Sequence, residues 1–331
     1  MSLLSRKSKS KPTRLYFATD VHGSERTYKK FLNAGKFYEA NVLVMGGDIT
    51  GKMLVPIIDQ GNGNYRATLQ GETEQVTTQE ELEKLEQRLK TLGFYFKVMQ
   101  EDEFKFYRDD ESAVEELFHE QARLRLVDWI ELADTRLSGT GIRCFVTGGN
   151  DDDPEVLEVM KREDTETFIA CEGESVMIDD LHPMISVGFS TFTPWNTPRE
   201  VSDEELGVMI EEMIAKVEQP NASIFNFHDP PNDSTLDTCP KLNWDTDPPT
   251  PIVEAGQIVM HGAGSKAVRK AIEKYQPLLS LHGHIHESQS VAKIGKTTCI
   301  NPGSEYGEGV LRGCIVILSG GKIEGYQMTR G

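Results

Sequence analysis

Residues 15–22 read Leu15-Tyr16-Phe17-Ala18-Thr19-Asp20-Val21-His22, an apolar run that ends in a carboxylate and an imidazole. Four later apolar runs also end in side chains that bind metal ions, and these side chains are Asp48, Asn150, His228, His284 and His286. In open α/β sheets, functional groups gather just beyond the carboxyl ends of the strands. We therefore expect these side chains to converge in a metal site at one sheet edge.

The composition limits the class of protein. The chain has 331 residues, of which 27% are charged, and its net charge of -18 would repel the backbone of long nucleic acids. No apolar run approaches the roughly 18 residues that a membrane span needs. The five cysteines form no CxxC pair, which favours buried thiols in a reducing compartment. We expect a soluble, cytoplasmic protein with no membrane partner and no nucleic-acid partner.

Apolar runs and helix signals alternate along the chain. Strands are predicted near residues 15–18, 42–45, 142–147, 184–189, 223–227, 277–281, 297–300 and 313–318. Helices are predicted from Ser24 to about Ala34, from Ser202, and from Ser265 to Tyr275. This order predicts an α/β protein with mixed sheets and helices outside them.

Two segments interrupt this order. Residues 1–14 form a basic stretch without an apolar run behind it, which predicts a disordered tail before a domain over residues 15–331. Residues 52–138 read as an insert, because a crossover needs far fewer residues. The insert is predicted to hold a hairpin around residues 61–64 and two antiparallel helices, one spaced from Leu82 to Phe96 and one opened by Ser112. It would serve as a dimerisation surface, a lid or structural bulk.

The seven side chains supply the donors that two metal ions require. Two divalent ions about 3.5–4 Å apart need a bridging carboxylate and about three further ligands each. Nitrogen and oxygen donors without thiolates favour manganese, iron, zinc or cobalt over calcium or magnesium.

The blocks Asp20-x-His22, Gly47-Asp48, Gly149-Asn150, His228 and Gly283-His284-x-His286 resemble those of the calcineurin-like metallophosphoesterases. Within that superfamily, the chain resembles the prokaryotic phosphoesterases related to the cyclic-nucleotide phosphodiesterase group. The resemblance implies a four-layer α/β/β/α sandwich of two mixed sheets.

The resemblance also implies a role for each ligand. Asp20, His22 and His286 match the ligands of the first ion, while Asn150, His228 and His284 match those of the second. Asp48 matches the bridge. A water held between the ions would lose a proton and attack phosphorus in line, so the implied activity is hydrolysis of small phosphoesters, more of diesters than of monoesters.

One position departs from the family pattern. Asp151 stands where the family has a histidine that is thought to protonate the leaving group, while Asp152 keeps the acid that follows it. Near two cations an aspartate is a poor general acid at neutral pH. Three interpretations remain: Asp151 works as an acid after desolvation, another group such as His261 donates, or the leaving group needs little protonation. The last two together are favoured, and Asp151→His should then improve turnover of poor substrates.

Two residues are candidates for substrate binding. Arg199 ends a loop that begins at Thr193 and also carries Trp195, and together they would suit a phosphate and a base. Asp152 is the second candidate. The alternative for the loop is a rigid surface segment held by a buried tryptophan.

Two other functions compete with hydrolysis of small phosphoesters. A non-catalytic scaffold that binds metals and a partner protein would explain the replaced histidine and the insert, but it need not keep all seven ligands. A nuclease is disfavoured by the acidic charge. The helical insert is also a candidate surface for homo-oligomers.

Overall fold

The computed structural model describes residues 11–69, 71–162, 164–246 and 248–331. The helices are α1 (Glu25–Phe37), α2 (Gln79–Leu92), α3 (Glu101–Asp109), α4 (Glu111–Leu137), α5 (Pro154–Leu157), α6 (Asp203–Ile214) and α7 (Lys266–Tyr275). The strands are β1 (Thr13–Ala18), β2 (Val42–Gly46), β3 (Leu54–Gly61), β4 (Asn64–Leu69), β5 (Glu72–Val76), β6 (Tyr95–Gln100), β7 (Arg143–Thr147), β8 (Phe168–Ala170), β9 (Ser175–Met177), β10 (Pro183–Val187), β11 (Ser190–Thr191), β12 (Glu200–Val201), β13 (Ile224–Phe227), β14 (Thr238–Pro240), β15 (Leu242–Asn243), β16 (Thr250–Pro251), β17 (Val253–Glu254), β18 (Gln257–Ile258), β19 (Met260–Gly262), β20 (Leu279–Leu281), β21 (Ser290–Ile294), β22 (Thr297–Asn301), β23 (Arg312–Ser319) and β24 (Lys322–Arg330).

The protein has a mixed α/β fold with two six-stranded mixed sheets. The first sheet has the order β24-β23-β1-β2-β7-β8, and β1, β2, β7 and β8 run parallel in it. The second has the order β21-β22-β20-β13-β10-β9, with β22, β20, β13 and β10 parallel. Parallel neighbours end at the same sheet edge, so the residues that follow them are brought together.

Successive side chains along each strand point to opposite faces of the sheet, so the core is divided into separate clusters. Leu15 and Phe17 of β1 lie in a buried cluster that also contains Ile224 and Leu281 of the second sheet. The neighbouring side chains, such as Tyr16, face a second cluster with α1 and α4. A third cluster joins the other face of the second sheet to α6 and α7. Each sheet therefore buries apolar side chains on both faces, as parallel strands require.

The N-terminal edge of the fold differs from the sequence prediction. Residues 1–10 of the predicted tail lie outside the described residues, but Thr13 and Arg14 already belong to β1 and pair with Leu318 and Ile317 of β23. The ordered domain begins before Leu15, because an antiparallel neighbour supplies hydrogen-bond partners for these polar residues.

The segment between β2 and β7 contains more strands and helices than the predicted hairpin and two helices. Strands β3 and β4 pair around Asn62-Gly63, and β5 and β6 extend them to a four-stranded sheet. Helix α2 ends at Leu92 because Gly93 adopts a left-handed φ of 85°, so Phe96 lies in β6 rather than in a helix. Two further helices follow.

The boundaries of α4 also differ from the prediction. Its N-cap is Asp110, whose side chain accepts a hydrogen bond from the Ala113 amide, rather than Ser112. From Ala122 onward its buried side chains belong to the cluster under the first sheet, where Trp129 stacks on Tyr28 of α1 at 4.0 Å. This helix is thus part of the main core and not only of an insert.

None of the helices in the described part of the chain is both long enough and apolar enough to cross a membrane.

Candidate metal centre

The predicted ligands meet where the parallel strands of both sheets end. Asp20 and His22 follow β1, Asp48 follows β2, and Asn150 follows β7. From the second sheet, His228 follows β13, and His284 and His286 follow β20. Short, fully buried strands thus deliver seven candidate donors from five loops to one place.

The backbone of these loops is held in an uncommon conformation. Asp20, His22, Asp48 and His284 all have left-handed φ angles, at 54°, 40°, 50° and 67°. Hydrogen bonds fix the first three, because the Asp20 amide donates to the Gly47 carbonyl and the His22 amide to the Asp48 carbonyl, both at 2.9 Å. Such conformations cost free energy and cluster at functional sites.

Asp20, His22, Asp48 and His286 form one group, in which one donor atom of each lies within 4.8 Å of the others. Nε2 of His22 is 3.1 Å from Nε2 of His286 and 3.6 Å from Oδ2 of Asp48. Nε2 of His286 is 3.3 Å from Oδ1 of Asp20. Two imidazoles and two carboxylates therefore point at one small volume.

Asn150, His228 and His284 form a second group beside the first. Nε2 of His228 is 3.4 Å from Oδ2 of Asp48 and 3.9 Å from Oδ1 of Asp20, and the His228 and His284 rings lie 5.5 Å apart. Oδ1 of Asn150 is 2.7 Å from Nδ1 of His284. Of the two carboxylates within reach of both groups, Asp48 is the nearer to His228.

The site is built to receive positive charge. Nδ1 of His228 is 3.0 Å from the Gly46 carbonyl, while its buried Nε2 faces the carboxylates and has no hydrogen-bond partner among the described residues. Burial alone would lower the pKa of His228, but Asp48 and Asp20 raise it to about 10. Burial would likewise raise the pKa of Asp20, which His286 and His228 lower to about 2. The carboxylates thus favour positive charge at this place, and divalent cations can supply that charge. The residues fit a metal centre.

Glycines bring the loops close enough for this contact. A Cβ at Gly149 would overlap the Asp48 carboxylate, and a Cβ at Gly283 would lie 2.5 Å from Oδ2 of Asp20. The absent side chains let the backbone approach both carboxylates.

Asp152 is not placed to bind substrate, contrary to the prediction. Its side chain is fully buried and accepts hydrogen bonds from the amides of Gly149, Ile49 and Thr50 at 2.6, 3.0 and 2.7 Å. Burial raises its pKa. Asp152 ties the loop after β2 to the loop after β7 and so positions Asp48 relative to Asn150.

Arg199 is also a positioning residue rather than a group open to substrate. Its side chain is only 4% exposed, forms an ion pair with Glu172, and lies 4.4 Å from the centroid of the Phe189 ring. It donates to the Gly149 carbonyl at 3.1 Å, and its amide donates to the Asn150 carbonyl at 3.1 Å. Arg199 thus holds the backbone of the loop that carries Asn150.

His261 stands apart from the candidate centre. It is exposed on β19, which pairs with β14, and its Nε2 lies 3.5 Å from Sγ of Cys239. No contact joins it to the seven predicted ligands within the described residues. The prediction that His261 donates a proton to the leaving group has no geometric support.

Asp151 lies at the mouth of the centre and contacts a residue that the sequence analysis missed. Its carboxylate forms an ion pair with Lys52, and its Oδ2 is 3.7 Å from Nδ1 of His22. Burial and the Asp48 carboxylate raise the pKa of Asp151 to about 6, although Lys52 opposes them. The available sequence signal was Gly51-Lys52, a cation four residues after Asp48.

The loop after β22 does more than form a turn, because it contacts the loops that carry predicted ligands. Nδ2 of Asn301 donates to the carbonyls of Leu236, Gly283 and Ile285, so it fixes the loop that carries His284. Further along this loop, the Tyr306 ring packs 4.6 Å from the His22 ring.

The segment between β2 and β7 is fastened to the ligand loops. Oη of Tyr95 accepts from the Gly51 amide at 2.8 Å, and Arg125 donates to the Gly23 carbonyl at 2.9 Å. A Cβ at Gly93 would overlap the carbonyl oxygen of His22. These contacts buttress the loops that carry His22 and Asp48.

An exposed aromatic pair flanks the Asn150 side. Trp195 is 66% exposed, which contradicts the alternative of a buried tryptophan, and its ring meets that of Trp244 edge to face at 5.8 Å. Its loop is anchored beside the centre, because Nδ2 of Asn150 donates to the Thr197 hydroxyl at 2.9 Å.

No family model matches the chain. An uncharacterized protein of Methanocaldococcus jannaschii is 32% identical over 120 residues, which are 36% of this chain and 46% of that protein. The match therefore spans about half the length of that relative.

One solved structure shares the overall fold at low sequence identity, and two others match with TM-scores below 0.5. One crystal structure matches with a TM-score of 0.54 and 14% identity over 97% of this chain and 99% of the other. A protein of Thermus thermophilus matches with a TM-score of 0.49 and 11% identity over 97% and 99% of the two chains. An archaeal phosphodiesterase gives a TM-score of 0.35 and 11% identity over 96% and 100%. The first likeness establishes a shared mixed α/β fold.

Proposed function

We propose that this protein is a dimetal phosphoester hydrolase of the metallophosphoesterase type, acting on small phosphodiesters more readily than on monoesters. The observation that supports this most is the position of Asp48. Its Oδ2 lies 3.6 Å from Nε2 of His22 and 3.4 Å from Nε2 of His228, between two donor groups. On this proposal, the two helix-covered mixed sheets are the four-layer α/β/β/α sandwich of that superfamily.

Each donor group would hold one ion of the manganese, iron, zinc or cobalt class. Asp20, His22 and His286 would bind the first, Asn150, His228 and His284 the second, and Asp48 both. When bound, the ions would supply the positive charge that activates a water and neutralises phosphoryl oxygens.

The chain itself orients these groups before any ligand arrives. The Gly46 carbonyl fixes the ring of His228 through Nδ1, so that Nε2 faces the centre. The Asp20 carboxylate accepts the His284 amide at 3.1 Å and so holds the loop from the second sheet. Preorganised donors of this kind avoid the cost of rearrangement during reaction.

The preference for diesters rests on the mouth of the site. Position 151 there is an aspartate, so no imidazole is present at this position to protonate a basic leaving group. Aryl diesters have leaving groups that need little protonation. The exposed Trp195 and Trp244 offer apolar faces to such groups. The net charge of -18 favours small substrates over nucleic acids.

The test is an activity screen with chelator-treated protein that is reloaded with each metal in turn. Substrates are bis-p-nitrophenyl phosphate, p-nitrophenyl phosphate, cyclic nucleotides and duplex DNA, and Asp48→Asn is the matched variant. We expect metal-dependent hydrolysis, faster for the diester, that Asp48→Asn lowers by about 1,000-fold. Stoichiometric metal binding without hydrolysis would instead identify a scaffold, and cleavage of DNA in preference to the small esters would identify a nuclease.

A further inference from the structure

Lys52 occupies the boundary between the buried ligand cluster and solvent. The side chains of His22 and Asp48 are 0% and 3% exposed, that of Asp151 is 13% exposed, and that of Lys52 is 46% exposed. Its ammonium forms an ion pair with the Asp151 carboxylate. A phosphoester that reaches the ligands on the side of Asp151 would meet this cation.

The contacts of Asp151 join Lys52 to the ligand cluster. Oδ2 of Asp151 forms the ion pair with Lys52 and lies 3.7 Å from Nδ1 of His22. The Asp151 amide donates a hydrogen bond to Oδ1 of Asp48 at 3.0 Å. Lys52 is therefore linked through one residue to two of the predicted ligands.

The backbone that carries Lys52 is held in place. Asp152 accepts the Ile49 and Thr50 amides, and Tyr95 accepts the Gly51 amide. Gly51 itself packs so closely that a Cβ there would overlap the Gly93 carbonyl. A rigid loop thus places the Lys52 ammonium beside Asp151.

We propose that Lys52 stabilises the leaving-group oxygen and that Asp151 positions it, in the place where related enzymes use a histidine. This inference rests on the proposed function. As the oxygen of water bonds to phosphorus, the ester P–O bond breaks and its electron pair moves to the leaving oxygen. Nζ of Lys52 donates a hydrogen bond to that oxygen, and the proton released by the water completes the alcohol product. Asp151 balances the ammonium between turnovers.

The substrate class follows from this role. A cation at the leaving oxygen contributes most where negative charge builds up there, which is with basic alkoxides rather than with nitrophenolates. Aryl diesters remain the faster substrates because of their intrinsic reactivity. Lys52 extends the activity to phosphodiesters with aliphatic leaving groups.

The test compares Lys52→Met and Lys52→Arg across diesters that share one transferred group and differ in the basicity of the leaving group. Lys216→Met is the matched control, because Lys216 is 43% exposed and lies 4.0 Å from Glu174, away from these loops. Metal content and thermal melting are measured for every variant.

Lys52→Met should lower kcat/KM by about 10-fold for nitrophenyl esters and by about 100- to 1,000-fold for alkyl esters. The plot of log kcat/KM against leaving-group pKa becomes steeper, while metal content stays unchanged. Lys52→Arg should keep most of the activity, and Lys216→Met should match the wild type.

Parallel plots for Lys52→Met and the wild type would overturn the role of Lys52 and leave the hydrolase intact. If the metal-loaded wild-type protein hydrolyses none of the esters, both the hydrolase and the role of Lys52 are wrong.

Discussion

Oδ2 of Asp48 lies 3.4 Å from Nε2 of His228, although one residue follows a strand of the first sheet and the other a strand of the second. The contact is possible because Gly47 has no side chain, since a Cβ there would lie 2.5 Å from Nδ1 of His228. The geometry of the candidate metal centre therefore depends on how the two sheets pack. Changes in the loops between them should affect metal binding and stability together.

Gly93 offers a direct test of the buttress behind His22. Gly93→Ala and Gly61→Ala both place alanine at a φ of 85°, which costs about 1 kcal/mol in each case. Only at residue 93 would the new Cβ also meet the His22 carbonyl, whereas Gly61 has open space. We expect Gly93→Ala to melt several degrees below Gly61→Ala and to bind metal more weakly, as measured by calorimetry. Equal melting and equal metal affinity would contradict the buttress.

Asp152→Asn distinguishes positioning from substrate binding. The asparagine side chain cannot accept all the hydrogen bonds that the buried carboxylate accepts from backbone amides. The free energy of unfolding should therefore fall by roughly 2–4 kcal/mol. The control is Asp153→Asn, because Asp153 caps the short helix α5 and asparagine caps equally well. A raised KM with unchanged urea unfolding would restore Asp152 as a substrate ligand.

Trp195→Ala should weaken binding of aromatic substrates without destabilising the fold. Trp195 is mostly exposed, so little burial is lost, but one stacking contact is worth about 1–3 kcal/mol. The KM of bis-p-nitrophenyl phosphate should rise about 10-fold, while that of dialkyl esters should stay unchanged. Phe37→Ala removes a ring that is 78% exposed on α1 and serves as the control. Similar KM values for all three proteins would remove Trp195 from the substrate site.

The stability of the protein should fall in acid partly through Glu305. Hydrogen bonds from Arg312 and Arg330 lower the pKa of Glu305 from 4.5 to about 2. Because the folded pKa is the lower one, the stabilisation is complete above about pH 4.5 and is lost as the pH falls toward 2. Urea unfolding should show that Glu305→Gln is less stable than the wild type at neutral pH and that the gap narrows near pH 3. A gap that stays constant with pH would show that Glu305 acts through packing alone.

The sequence predicted the strands and their ligands for a physical reason. The runs before Asp20, Asp48 and His228 are short, apolar and buried on both faces. Such runs are typical of parallel strands and fit few other secondary structures. The ligand loops follow them within a few residues. The strands that carry the ligands were therefore predictable, whereas β8, β9, β21, β24 and the residues that support the loops were not.

The misses share one cause, which is that the deciding contact lies far away in the chain. Arg199 reads as an exposed cation until Glu172 and Phe189 enclose it. Phe96 continues the helical spacing of α2, but the left-handed Gly93 ends the helix before it. Strand β24 alternates only weakly around Gly325 and exists as the antiparallel partner of β23.

In the proposed function, Asp48 and its neighbours hold two ions, and these ions make the chain a phosphoesterase. The most direct measurement titrates manganese or zinc into chelator-treated protein while recording bound metal and the hydrolysis rate of bis-p-nitrophenyl phosphate. We predict that the rate rises to a plateau at two ions per chain and that Asp48→Asn neither binds the second ion nor gains activity. A rate that stays at background with two ions bound, or a wild-type chain that binds none, would contradict the account.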